Sequence, residues 1–483
     1  MGMSGLMSRR DFLGATAAGA GAVLAAGQFG GLTLFADDGQ DWPGKLPDVK
    51  IYTVYLVGGR AWPKPDLNIN EEVARLQKHV NDAQRKVAGV EFVGGDIIKF
   101  APTDADKLAV KLRQYDAVLA FNLTTSIEPQ LRAIVDAGQP TILFSQPFSG
   151  HDWCYICDMQ KQGKKVILLA TTDYGEIAQA ARILRVAPRL KQTRIAYINT
   201  QPFDAEKTRQ IKDKLGAEIV WVGADRLNKE YDAVDAKASQ DETDRWIRQA
   251  QKVVEPTRDE ILKSSRLYLA MKHIMQQENA RAVTVNCLQM FTDKALPAYP
   301  CLGFCRLNDM GLVGACEGDI YSTLTMLMFN YAFDLPGFIT DPAIDTSSNT
   351  IIHAHCVCPT KMDGPQGKSL PYKIRNHLED YKGAVLQVRH RTGQTITCAK
   401  ITKPDTILVS TGKITGSPDV DRGCRTKMAT QVTDARAMLD NWGCGVVGNE
   451  LIDRLHRVVF YGDHLRDVKN MAVLMGLNVV EGI

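Results

Sequence analysis

Between Val49 and Val222 the chain alternates short apolar runs with segments of helical period. The runs VKIYTVYLV (49–57), DAVLAFNL (116–123), PTILFSQPF (140–148), KVILLA (165–170) and TRIAYINT (193–200) read as strands. Amphipathic stretches lie between them, among them NEEVARLQKHVNDAQRKV (70–87) and EIAQAARILRVAPRL (176–190). Strands alternating with helices predict parallel sheets covered on both sides, with ligands gathering at the carboxyl ends of the strands. The two glycines that end the first run, Gly58 and Gly59, read as a turn and not as a dinucleotide fingerprint.

From Asp225 to Ala280 the pattern is polar and helical, its charges reading as a solvated face. RAVTVNCLQMF (281–291) then reads as a buried strand and GLVGACEGD (311–319) as another, followed by a packing helix with Leu324, Leu327, Met328 and Tyr331 on one face. Beyond Thr350 the texture turns β-rich, with Thr392-Gly393 predicting a hairpin turn inside AVLQVRHRTGQTITCAKI. The chain closes on a strand and a helix whose Leu465, Val468, Ala472 and Met475 share a face, stopped by Gly476. The expected fold class is α/β: two αβα (flavodoxin/Rossmann-like) domains followed by a β-rich, barrel-containing C-terminal domain. The expected partition is a leader over 1–36, αβα domains over 45–170 and 171–350, and the β-rich domain over 351–483.

The length, 483 residues at 45% hydrophobic, suffices for two or three cores. With 58 basic against 55 acidic side chains and no basic cluster interleaved with aromatics, nucleic acid is excluded as an expected partner. At the N-terminus SRRDFLGATAAGAGAVLAA carries adjacent Arg9 and Arg10 before a weakly apolar Ala/Gly stretch, which resembles a twin-arginine export signal with cleavage near Ala36. The expectation is therefore a periplasmic protein exported folded, often a reason to load a metal beforehand, with no membrane span in the mature chain. Eleven cysteines without scaffold spacing predict buried, reduced thiols, and the pair Cys154 and Cys157 reads as core.

Glu317 and Asp319 lie two apart in what reads as a strand, so both carboxylates are expected on one side. Anions that close repel unless a proton or a cation intervenes. Asp319 alone is explained by capping the next helix, but Glu317 is not. His353 and His355 also sit two apart on a predicted strand, and His456 precedes the last one. Imidazoles with carboxylates suit Mn²⁺, Fe²⁺, Zn²⁺ or, less well, Mg²⁺.

PCLGFCRLNDMGLVGACEGDIYSTLTMLMFNYAFDLPGF, then HAHC, VSTGKI, GCRT and HRVVFYGDH, resemble the L-fucose isomerase-like branch of the fucose/arabinose isomerase superfamily, from about Ala282 to the end. The resemblance implies two αβα domains and a barrel-containing domain, a trimer or hexamer, and a metal, most commonly Mn²⁺, serving aldose–ketose exchange on a small-molecule sugar. It implies Asp319 and His456 as metal ligands, Glu317 as the adjoining acid and His355 as a further group of the pocket. One departure is that the family's glutamate upstream of the aspartate has no counterpart in FTDKALPAYPCLGFCRLND, whose acids are Asp293 and Asp309.

Such an exchange removes a carbon-bound proton and returns it to the neighbouring carbon, which calls for a carboxylate base and for stabilised charge on oxygen. Glu317 and Asp319 are the expected catalytic pair, with Glu317, Asp319 and His456 as expected metal ligands. His355 and Arg425 are the expected substrate contacts, Arg425 being equally readable as an ion-pair residue. Two alternatives stay open: a metal-dependent sugar lyase or epimerase on the same fold, and an exported sugar-binding protein.

Overall fold

The computed structural model describes residues 46–59, 62–99, 102–442 and 455–482, so the Arg9-Arg10 leader and Ala36 lie outside the described residues. The architecture is mixed α/β with two parallel sheets and a β-rich C-terminal region. Five strands, β1 (Val49–Leu56), β2 (Val90–Ile98), β3 (Ala117–Asn122), β4 (Thr141–Ser145) and β5 (Val166–Ala170), form the first sheet in the order β2-β1-β3-β4-β5. All its pairings are parallel. Every residue of β3 is buried, as a strand covered on both faces requires. Its covering helices are amphipathic: Ile69–Lys86 starts at the cap Asn68, whose side chain accepts from Glu71 N, and buries Leu76, Val80 and Ala83 as one stripe.

The second sheet is also parallel, with β6 (Arg194–Ile198), β7 (Glu218–Val222), β9 (Ala282–Val285) and β10 (Val313–Ala315) in the order β10-β9-β6-β7. Two strands expected here are shorter than their apolar runs suggest. Cys287–Thr292 is a helix and not the continuation of β9. The run 311–319 is a strand only over Val313–Ala315, because Glu317 and Gly318 both take left-handed backbone, at φ 59 and 67, and turn the chain.

In the C-terminal region β11 (Phe338–Asp345), β12 (Thr350–His355), β15 (Thr395–Lys403), β16 (Thr406–Gly416), β17 (Thr426–Gln431) and β18 (Arg457–Tyr461) pair in the order β15-β18-β11-β12-β17-β16. β15 also pairs with β16, which closes these six strands into a ring of pairings, and β19 (Asn478–Glu481) adds to β16. β11, on the N-terminal side of the expected division at residue 350, thus pairs into this ring. The hairpin expected at Thr392-Gly393 is absent: β14 (Val385–Val388) pairs with β13 (Tyr372–Arg375), which pairs with β8 (Lys252–Val253), and β15 turns back on β16 instead. Cys154 and Cys157 are exposed on the helix Trp153–Lys161, contrary to the core expectation, because the apolar stripe of that helix is Ile156 and Met159.

The helix Ile320–Phe333 joins these parts. It is buried on every side from Ile320 to Ala332, packed against β9, β10, β15 and β18, and so carries apolar residues all round rather than one stripe. Phe329 stacks on Phe460 of β18 with ring centroids 3.6 Å apart and planes 6° apart. Among the described residues no helix is long and apolar enough to cross a membrane.

Candidate functional site

The site forms where the carboxyl end of the second sheet meets the rim of the barrel. β10 ends at Ala315, and the left-handed pair Glu317-Gly318 turns the chain into the helix that begins at Ile320. Such backbone costs a non-glycine residue roughly 1 kcal/mol and is retained here at a site. It is held by Gly318 N donating to Val285 O at 2.9 Å, and Gly318 lies so close to Asn286 and Tyr197 that a Cβ would meet both at 3.1 Å. The turn projects the Glu317 carboxylate toward the barrel.

The barrel rim supplies the rest. β11 changes partners along its length: Phe338, Ile339 and Thr340 pair with β18, whereas Asp341 to Asp345 pair with β12. Pro342, which lacks an N–H, falls where β11 has already left β18. Asp341 thus sits just beyond the last rung, Thr340 opposite Arg457, with His456 preceding Arg457 on the other strand. His355 closes β12, next to Ala354, the partner of Asp341.

Glu317, Asp341, His355 and His456 each offer one ligand atom, and these four atoms lie within 4.8 Å of one another, the imidazoles buried and the carboxylates half-buried. His456 Nε2 is 3.3 Å from Glu317 Oε2 and 3.3 Å from Asp341 Oδ1. His355 Nε2 is 3.5 Å from Glu317 Oε1 and 3.9 Å from Asp341 Oδ2. Both Nε2 atoms are buried without a hydrogen-bond partner. Two carboxylates and two imidazole nitrogens aimed at one point fit a divalent cation. Burial opposes charge on Glu317, but the His355 and His456 rings outweigh it and hold its carboxyl far below the usual range.

Backbone contacts separate the two histidines. His355 Nδ1 accepts from Cys356 N at 2.8 Å, which places the proton of the neutral ring on Nε2, where it is a donor facing Glu317. His456 Nδ1 lies 2.9 Å from Asp319 Oδ2. That carboxylate also accepts from Lys400 Nζ, so Nδ1 is the donor and the Nε2 of a neutral His456 is bare. A neutral His456 therefore has the ligand's tautomer and a neutral His355 that of a hydrogen-bond donor.

Asp319 stands behind this group rather than in it. It caps the helix Ile320–Phe333, Oδ1 accepting from Ser322 N at 2.8 Å and Oδ2 from Ser322 Oγ at 2.8 Å. Burial opposes its ionisation, yet Lys400 and His456 hold its carboxyl far below the ordinary value. His353 lies deeper in the barrel between Thr340 Oγ1 and Thr430 Oγ1, at 3.3 and 3.1 Å, and burial lowers its pKa to about 3. Arg425 points elsewhere: its Nε donates to Asn376 O at 2.8 Å, a terminal nitrogen donates to Asn376 Oδ1, and the other reaches Asp421 at 2.9 Å.

Two residues of this arrangement escape sequence reading. Asp341 is hidden because Asp-Pro after an apolar run reads as a turn. Its sequence signal is an acid following the strand-like Phe338, Ile339 and Thr340. Lys400 is a lysine inside the apolar run Ile396–Ile401, wholly buried on β15. The Glu317–Asp341 pairing also changes the comparison with the resembled family: a glutamate does precede the site's aspartate, once that aspartate is Asp341.

No family model matches the chain. It is similar to the sulfoquinovose isomerase of Alkalicoccus urumqiensis, 24% identical over 187 residues, which are 36% of this chain and 40% of that protein. It is also similar to the sulfoquinovose isomerase of Clostridium sp. (strain MSTE9), 33% identical over 93 residues, 19% of this chain and 20% of the relative. The matched part thus spans two fifths or less of the length of these curated relatives.

Proposed function

We propose that the protein is a divalent-metal-dependent aldose–ketose isomerase acting on a free sugar, with a sulfonated hexose such as sulfoquinovose as the first candidate substrate. The observation that carries this reading is the convergence of Glu317, Asp341, His355 and His456, with both buried Nε2 atoms facing the two carboxylates, in a chain similar to sugar isomerases. Glu317, Asp341 and His456 would hold the cation, for which Mn²⁺ is the first choice. When bound, the cation supplies Lewis acidity that stabilises negative charge on adjacent sugar oxygens. The protein's own groups do the rest. One of the two carboxylates takes the proton from C2 and returns it to C1, the hydroxyl proton passes from O2 to O1, and the other carboxylate keeps its place in the ligand set. His355, donating through Nε2, orients Glu317 or a sugar hydroxyl.

The leader supports export by the twin-arginine route and hence a periplasmic enzyme, and the family resemblance supports a trimer or hexamer. Fusing residues 1–36 to a reporter with and without Arg9 and Arg10 tests the first, and light scattering tests the second. For the reaction, the Mn²⁺-loaded protein is incubated in deuterated water with sulfoquinovose and with unsubstituted aldoses. Deuterium at the carbon next to the carbonyl, together with ketose formation, supports isomerisation. Product without aldose–ketose exchange would point to a lyase or epimerase.

A further inference from the structure

Lys400 and Asp319 adjoin this centre and have no part in the proposed chemistry, and Lys400 is the less expected of the two. It is wholly buried on β15, where an ammonium group is costly unless compensated. Its Nζ donates to Asp319 Oδ2 and, at 2.7 Å, to Ser322 Oγ. Asp319 Oδ2 in turn accepts from His456 Nδ1 at 2.9 Å, and Asp319 Oδ1 is taken by Ser322 N at 2.8 Å. The carboxylate is therefore fixed at both oxygens by a helix terminus and an ammonium group, and it offers His456 an acceptor and no donor.

An imidazole on β18 could otherwise rotate or carry its proton on either nitrogen. With an obligate acceptor at Nδ1 it cannot place its bare nitrogen anywhere but toward Glu317 and Asp341, each 3.3 Å from Nε2. We infer that Asp319 and Lys400 form a positioning relay, Lys400 to Asp319 to His456, which sets the tautomer and ring orientation of His456 and thereby the affinity of the centre for a divalent cation. Asp319 is on this account neither a ligand nor a base. The inference rests on the metal-dependent reading above.

The test is Mn²⁺ affinity, read from the electron paramagnetic resonance signal of the free ion, with a ¹⁵N spectrum of the histidines in the Zn²⁺-loaded protein. Asp319→Asn keeps an excellent helix cap. With its oxygen kept on Ser322 N, the amide N–H₂ takes the place of Oδ2, where it faces Lys400 and His456 together, offers His456 no acceptor and reverses the tautomer. The expected outcome is a loss of Mn²⁺ affinity of roughly 10- to 100-fold, with the Nδ1–H resonance of His456 lost. Lys400→Met is expected to lower affinity in the same direction. Thr325→Val is the control: it breaks the 2.8 Å hydrogen bond from Ile401 N to Thr325 Oγ1 between the same helix and the same strand without touching His456. It should lower the melting temperature and leave Mn²⁺ affinity within about twofold of wild type.

If wild type binds Mn²⁺ and Glu317→Gln does not, while Asp319→Asn binds as wild type does, the relay is refuted and the metal-dependent reading stands. If Thr325→Val loses affinity as much as Asp319→Asn, the effect is general packing and the relay is likewise refuted. If wild type itself takes up no divalent ion, both inferences fall together.

Discussion

His456 Nε2 stands 3.3 Å from Asp341 Oδ1, just past the last rung that joins β18 to β11. The contact exists because β11 leaves one neighbour for another at that point, which opens the barrel wall and lets two polar side chains face each other at its rim. An acid that reads as part of a turn is thereby brought beside an imidazole more than a hundred residues away in the chain. Asp341→Asn keeps the shape and removes the charge. It is expected to abolish measurable Mn²⁺ binding at micromolar ion while leaving the far-ultraviolet circular dichroism unchanged.

Glu317→Gln is expected to lower kcat by roughly 10²- to 10⁴-fold, the range over which a positioned acid–base group acts. Deuterium incorporation under single-turnover conditions separates this from slow product release. Retention of full exchange in that variant would move the base to Asp341.

Chelation and reloading give a prediction independent of the substrate. An ion that binds only the folded chain stabilises it by about 2.7 kcal/mol at a hundred times its dissociation constant. The melting temperature is therefore expected to rise on adding Mn²⁺ and to fall back with excess chelator. The same titration on a Glu317→Gln, Asp341→Asn double variant should show no shift.

Away from the site, His390 is buried between Phe338 and Tyr461, its Nδ1 3.0 Å from the Tyr461 hydroxyl, and burial, aided by the neighbouring His353, lowers its pKa to about 3. In the unfolded chain a histidine titrates near 6.5. Below that pH the unfolded state takes up a proton that the folded state refuses, so this stability is present above about pH 6.5 and is lost progressively as the pH falls toward 3. Between pH 7 and pH 5 the loss from this one group is about 2 kcal/mol. Urea unfolding at both values should show a pH effect larger by that amount in wild type than in His390→Gln.

Phe329→Ala removes the ring that stacks on Phe460 and leaves a cavity between the central helix and β18, at an expected cost of about 3–5 kcal/mol. Because Asp319 heads that helix and His456 precedes that strand, Mn²⁺ affinity should fall along with the unfolding midpoint.

The parallel sheets are legible in the sequence because strands buried on both faces write unbroken apolar runs such as those of β3 and β4, and the intervening helices write a clean stripe. Where one residue can end an element, the run misleads. RAVTVNCLQMF continues apolar past Val285 while the backbone turns into a helix, and GLVGACEGD is cut short by two residues of left-handed backbone. Three members of the four-residue group, Glu317, His355 and His456, stand out as polar residues in apolar surroundings. Asp341 does not, since its role comes from a change of strand partner, which is a property of pairing and not of local pattern. Asp319 is assigned by sequence to both capping and metal binding. Its geometry gives it the cap, and the sharing of its carboxylate among Ser322, Lys400 and His456 accounts for the rest.

Glu317 comes from the end of β10 in the second parallel sheet, whereas Asp341, His355 and His456 come from the barrel. The proposed ligands Glu317, Asp341 and His456 are thus divided between the two halves, so on that reading an ion would be captured during refolding only after both have formed and docked. Ion uptake should then trail the recovery of secondary structure in time, and a stopped-flow trace of Mn²⁺ binding would serve as a clock for docking.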